Sequence, residues 1–194
     1  PATPSIPGRD LPHVISACEL LQGKQQPRGR VVIIGGGAVG LETGLFVARR
    51  GALTPEQCYF LCFYRAETPE VIDNLISKGI HPVTVLEMLP KVGQDIGRST
   101  RWVVLGKLRR FGVQLKTGIR VLSIEEGHVR IADDKGEHVV TADTVVLATG
   151  MQPVNGLADE IKSRGLRVER VGDAANPGNI KQAIAHGFKL GNTI

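Results

Sequence analysis

Runs of apolar residues, each bounded by a turn or a helix signal, set the rhythm of the chain. Residues 30–34, "RVVII", are β-branched after the first position, the pattern of a strand buried on both faces. Residues 41–50 follow as a helix that stops at Arg49, Arg50 and Gly51, basic side chains before a glycine. Thr54 before Pro55 and Thr68 before Pro69 each set a capping hydroxyl ahead of a proline at the first helical position. Two further helices are therefore predicted, over residues 55–64 and 69–78. A second strand comes at 83–87 and a loop from Met88 to Asp95. A basic helix then spans 98–111, with Trp102, Leu105 and Leu108 as its apolar side and Gly112 as its stop. A third strand is expected at 113–116. The pattern then switches to short alternating runs at 120–124, 128–132 and 138–141, separated by "EEG" and "DDKGE", the turns of an antiparallel meander. Residues 143–149, "DTVVLAT", return to a buried strand.

This order predicts an α/β domain over 29–150: a Rossmann-like parallel sheet with helices on one face and a three-stranded antiparallel meander on the other, three layers in all. A helical insertion at 52–79 interrupts it. That insertion is expected to pack away from the glycine loop and to leave apolar residues such as Phe60 or Phe63 exposed as a docking surface. Residues 1–28 and 151–194 read as two segments of a neighbouring domain into which 29–150 is inserted. The start of the chain, "PATPSIPGRDLPHV", reads as a cut edge, so the sequence is expected to be a piece of a longer polypeptide.

The chemistry begins where the first strand ends. Gly35, Gly37 and Gly40 fall at G-x-G-x-x-G spacing, with Gly36, Ala38 and Val39 between them. Gly35 permits a tight turn, Gly37 lets a pyrophosphate approach the backbone, and Gly40 lets the helix pack closely on the strand. The helix that follows would turn its unsatisfied N–H groups and positive dipole end toward the phosphates. Such a loop normally has an acid about 20 residues further on to take the ribose hydroxyls. Here that place holds the inserted helices. With the insertion removed, Glu87 at the end of the second strand stands where the acid belongs, with Met88 beside it. A solvated strand-end glutamate is the alternative reading of Glu87.

Composition narrows the function classes. A net charge of +5 and a pI near 9.3 raise nucleic acid as a partner, but the basic residues are interspersed with acids and only 4% of residues are aromatic. A solvated helix face around Arg98, Arg101, Lys107, Arg109 and Arg110 accounts for the charge. No apolar run approaches the length of a membrane span, and no signal peptide pattern occurs. Cys18, Cys58 and Cys62 make no C-x-x-C pair, which fits apolar packing in a reducing cytoplasm. His81, His128, His138 and His186 lack metal-ligand spacing, and Asp133 and Asp134 read as a turn. No nucleophile–base pair and no metal site are predicted.

"VVIIGGGAVGLE", "ADTVVLATG" and "VERVGDAANP", in this order, resemble the two-dinucleotide-binding flavoproteins of the pyridine nucleotide-disulfide oxidoreductase superfamily. That resemblance implies an NAD(P)H-binding domain inserted into an FAD-binding domain. It implies that Thr149 and Gly150 border the nicotinamide half, and that Gly172 and Asp173 belong to the second FAD motif, the Asp holding the ribityl chain. It also aligns Glu42 with an acid near the nicotinamide, although an acid near a helix N-terminus explains Glu42 equally well. The insertion and "VTVLEMLPKVGQDIGRSTRW" look like the 2-enoate reductase branch of the old yellow enzyme relatives, near the 2,4-dienoyl-CoA reductases. A full-length member would add an FMN-binding barrel and a 4Fe-4S cluster, neither of which has a motif here. The resemblance thus implies an electron-entry module that binds NADH, shares FAD with a segment outside this chain, and is inactive alone on C=C bonds. Two alternatives stay open: the same domain of a disulfide- or ferredoxin-reductase-type flavoprotein, and a non-catalytic nucleotide-binding module.

Overall fold

The computed structural model describes residues 1–193, so the last residue of the expected 151–194 segment lies outside the described residues. The chain divides into two compact units: Thr3–Thr149, and a second made of Pro1–Ala2 with the chain from Gly150 onward. In the first, strand β1 (Val14–Ser16) leads into helix α1 (Ala17–Leu21), then β2 (Val31–Ile34) and α2 (Ala38–Ala48). Helices α3 (Pro55–Phe63) and α4 (Pro69–Ser77) intervene before β3 (Val83–Leu86), α5 (Arg98–Arg110) and β4 (Gln114–Lys116). Strands β5 (Arg120–Glu125), β6 (His128–Asp133), β7 (Gly136–Thr141) and β8 (Thr144–Leu147) complete it. The second unit carries α6 (Gly156–Ser163), a single 3₁₀ turn at Gly172–Ala174 and α7 (Ile180–Gly191).

Five strands make an all-parallel sheet in the order β1-β8-β2-β3-β4, and β5-β6-β7 make a separate antiparallel sheet. The β-branched runs explain the layering. In β2, Val31 and Ile33 point to the helical side, where they join Leu20, Leu41, Val47 and Leu108. Val32 and Ile34 point to the other side, where they join Ile124, Val129 and Ile131 of the meander. A strand covered on both faces needs apolar residues at every position, which is why the sequence shows a run instead of an alternation. The expected three layers are therefore present.

One feature goes beyond the expected pattern and one corrects it. Residues before 29 also join the parallel sheet: β1 pairs in register with β8, Val14 opposite Val145, and Ile15 is buried. A three-residue strand that follows His13 and ends in Ser16 is too short to show a period, so its parallel partner alone makes it a strand. In α5, Leu108 is buried and Val104 and Leu105 pack on the core, but Trp102 is 71% exposed. At about 100° per residue Trp102 lies about 120° round the helix from Leu108, outside the stripe facing α2.

The insertion leaves and rejoins the fold at one neck, at the C-terminal end of α2. Ile80 donates its N–H to the Arg50 carbonyl at 2.8 Å, and a Cβ on Gly79 would overlap the Ala48 carbonyl oxygen. Ile72 is the only residue of α3 or α4 that is buried. An Arg110–Asp73 ion pair at 3.6 Å links α4 to α5, and because both side chains are exposed it adds little stability.

Candidate dinucleotide-binding site

The glycine turn sits at the carboxyl end of β2, in the middle of the parallel sheet, where open α/β folds form their binding crevices. Each glycine has its own steric reason. Gly35 has φ +112°, a conformation closed to other residues, and a Cβ there would stand 2.3 Å from the Ala148 carbonyl oxygen at the end of β8. Gly36 is buried, and a Cβ would meet Glu87 Cβ and Val92 Cγ1, each at 2.8 Å. A Cβ on Gly40 would lie 1.9 Å from the Gly35 carbonyl oxygen, so α2 can approach its own strand only with glycine there. At Gly37 the nearest neighbour of a Cβ would be the Asp95 carboxylate, nearest atom 3.1 Å. Gly37 caps α2 with no side chain of its own to satisfy the first-turn N–H groups.

Glu87 reaches this loop. Its Oε2 accepts the Gly36 N–H at 2.5 Å and its Oε1 accepts the Leu89 N–H at 2.8 Å. The backbone of Glu87 is fixed by Lys116, whose carbonyl accepts its N–H at 2.8 Å, and by Ile119, which donates to its carbonyl at 2.9 Å. The carboxylate is thus held beside the glycine turn, 51 residues away along the chain. Met88 stands 70% exposed next to it. Val39 packs into the core below the loop, while Glu42 lies exposed one turn into α2. Glu42 is therefore not a first-turn acid, and α2 has none. Thr149 ends the first compact unit and Gly150 begins the second. The Thr149 backbone nitrogen lies 3.4 Å from where a Gly35 Cβ would stand, so the end of β8 borders the turn.

Gly172 and Asp173 lie in the second unit. Gly172 opens the 3₁₀ turn with φ +59°, and Asp173 Oδ1 accepts the Gly178 N–H at 3.1 Å, closing the loop that leads into α7. No residue of this unit is buried among those described.

Three features of the site were not foreseen from the sequence. Asp95 accepts the Ala38 N–H with both carboxylate oxygens at 2.9 Å, at the first position of α2. Its loop is fastened by the Gly93 N–H, which donates to the Gly36 carbonyl at 2.7 Å. At the opposite end of β2, Asp143 accepts from Arg30 through the backbone N–H at 2.7 Å and Nε at 3.0 Å. The Arg30 guanidinium bond, with its backbone N–H next, holds the Asp143 carboxyl down at about 2. These partners lie 57 and 113 residues apart, beyond any local signal. A Gly-Gln-Asp turn after an exposed loop was the only hint of Asp95.

The residues fit a dinucleotide. A carboxylate already seated on the Ala38 N–H demonstrates that the start of α2 accepts an anion, which is what a pyrophosphate requires. A second carboxylate beside the turn suits ribose hydroxyls. Among the described residues no three His, Cys, Asp or Glu side chains are grouped to hold a metal ion, and the thiols of Cys18, Cys58 and Cys62 form no disulfide. No helix among these residues is long and apolar enough to cross a membrane.

Known proteins are similar to this chain over nearly all of its length. A metal reductase from Desulforamulus reducens is 36% identical over 188 residues, covering 97% of this chain and 28% of its own. A cinnamate reductase from Clostridium sporogenes is 24% identical over 198 residues, covering 100% of this chain and 25% of its own. Among solved structures, 2-naphthoyl-CoA reductase in complex with 2-naphthoyl-CoA superposes with a TM-score of 0.74 at 24% identity, again over 100% of this chain and 25% of that one, which supports the fold. The chain thus spans about a quarter of the length of these relatives. Residues 1–177 match the model of the pyridine nucleotide-disulphide oxidoreductases, and the chain belongs to that family.

Proposed function

We propose that this chain is the NADH-binding, electron-entry part of a flavin-dependent reductase that acts on activated C=C bonds. The nicotinamide and the flavin supply the hydride chemistry; the protein supplies position and charge. The loop from Gly35 to Gly40 would hold the pyrophosphate through backbone N–H groups, and Glu87 would accept from the adenosine ribose. Thr149 and Gly150 would border the nicotinamide half, with Glu42 and Met88 at the rim of the groove. Gly172 and Asp173 would contribute to an FAD site completed by a segment outside this chain, and FMN and a 4Fe-4S cluster would belong to the longer polypeptide. The observation that carries the nucleotide reading is the Glu87 carboxylate bonded to Gly36 at the β2–α2 turn. The C=C reading rests on the insertion, on the "VTVLEMLPKVGQDIGRSTRW" segment and on relatives named for cinnamate and 2-naphthoyl-CoA.

The family's own description favours a second reading, a disulfide-reductase type of parent, which would use the same NADH site. A redox C-x-x-x-x-C in the longer polypeptide would identify it, and an FMN barrel would identify the first.

Cofactor choice tests the site. A carboxylate at the end of β3 repels a 2′-phosphate, and about 1.4 kcal/mol of repulsion gives a tenfold preference for NADH over NADPH. Titrating both nucleotides at one ionic strength should show that preference in the wild type. Glu87→Arg should narrow or reverse it. Equal or tighter NADPH binding by the wild type would contradict the assignment of Glu87.

A further inference from the structure

The cradle that would hold a pyrophosphate already holds an anion of the protein's own. Asp95 lies on the loop between β3 and α5 and is exposed, yet both of its carboxylate oxygens stand 2.9 Å from the Ala38 nitrogen. That N–H is at the first position of α2, where the helix dipole favours negative charge. An independent feature marks the same space. A Cβ added to Gly37, the glycine that should admit a pyrophosphate to the backbone, would have the Asp95 carboxylate as its nearest neighbour, at 3.1–3.6 Å. The face of Gly37 left bare by its missing Cβ is therefore the face beside which the Asp95 carboxylate lies.

The backbone around Asp95 is tied to the glycine turn independently of its carboxylate. Gly93 donates to the Gly36 carbonyl at 2.7 Å, Ile96 donates to the Gly93 carbonyl at 3.2 Å, and the Ile96 side chain packs against the core. Gly93 itself has φ +62°, and a Cβ there would crowd Leu41 and Ile96. The loop is thus held on the glycine turn by its backbone, so freeing the Ala38 N–H would require only a turn of the Asp95 side chain.

We propose that Asp95 is an internal competitor for the pyrophosphate subsite, a residue that caps α2 in the empty protein and must swing aside for the dinucleotide. The inference rests on the dinucleotide reading above. Two effects of opposite sign follow. In the empty protein the carboxylate satisfies an orphan donor and stabilises the start of α2. Toward a pyrophosphate it is a like charge in contact distance, so it weakens binding and discriminates against ligands that cannot displace it. The side chain sets the affinity of the site without being one of its ligands.

Asp95→Asn separates the two effects, because an asparagine caps a helix about as well as an aspartate but carries no charge. It should leave the melting temperature of the empty protein nearly unchanged and tighten NADH binding by roughly tenfold, the factor about 1.4 kcal/mol of removed repulsion produces. Asp95→Ala should tighten binding similarly but lower the melting temperature of the empty protein. NADH titrations of the wild type and both variants, followed by nucleotide fluorescence, decide the matter. Saturable NADH binding by the wild type, with the asparagine variant no tighter, would overturn the competitor role and leave the dinucleotide site standing. No binding by any of the three would remove the dinucleotide reading and this inference with it.

Discussion

Helices α2 and α3 are joined through Gly51 and are both rich in apolar residues, yet they stand in opposite relations to the core. Of the 11 residues of α2, six are buried, among them Gly40, Leu41 and Val47. None of the nine residues of α3 is buried. The exposed aromatic rings of α3 and its C-cap pack on each other instead: Tyr59 on Phe63 at 5.5 Å, Phe60 on Tyr64 at 4.8 Å and Phe63 on Tyr64 at 5.0 Å. Apolar content is therefore not a measure of burial. What separates the two helices is glycine: Gly40 brings α2 against the Gly35 carbonyl and Gly44 brings it against Ile33 and Val85, whereas α3 carries no glycine.

The largest expected effect breaks that comparison most plainly. Leu41 is fully buried against the sheet, so Leu41→Ala should cost about 2–5 kcal/mol of folding stability through lost transfer energy and the cavity left behind. Phe60→Ala in the same chain should stay within about 0.5 kcal/mol, because the ring is 55% exposed. Urea denaturation of both variants measures the difference. Similar losses would mean that α3 is packed in solution. A finer prediction concerns the other end of β2. The Asp143 carboxyl is held down at about 2, below its unfolded value near 4, so its contribution is present above about pH 4 and lost as pH falls toward 2. Asp143→Asn should therefore be less stable than wild type at pH 7, and the gap in denaturation midpoint should close between about pH 4 and pH 2.

Much of this architecture was readable because buried parallel strands leave apolar runs, and prolines after threonines mark helix starts. Residues 55–64 and 69–78 came out as α3 and α4 to within a residue, since both threonines cap as expected. Glu87 was reachable by subtracting the insertion, a matter of spacing. Strand β1 was not, because three residues carry no period and its partner lies more than 120 positions away. Trp102 misled because a helix with many basic residues shows its apolar stripe only once the facing helix is known. Asp95 and the Arg30–Asp143 pair are contacts of tertiary structure alone. The sequence also explains Gly36 only as a spacer, whereas the structure shows Glu87 and Val92 pressing on it.

The central claim is that the β2–α2 turn takes a nicotinamide dinucleotide while the chain from Gly150 onward provides only part of a flavin site. The most direct test is amide chemical shifts of the isotope-labelled chain during titration with NADH and, separately, FAD. NADH should bind saturably and move the Gly36, Gly37 and Ala38 amides most, with Leu89 following as Glu87 changes partners, while FAD should produce no saturable change. No saturable response to NADH, or shifts that spare the glycine turn, would contradict the account.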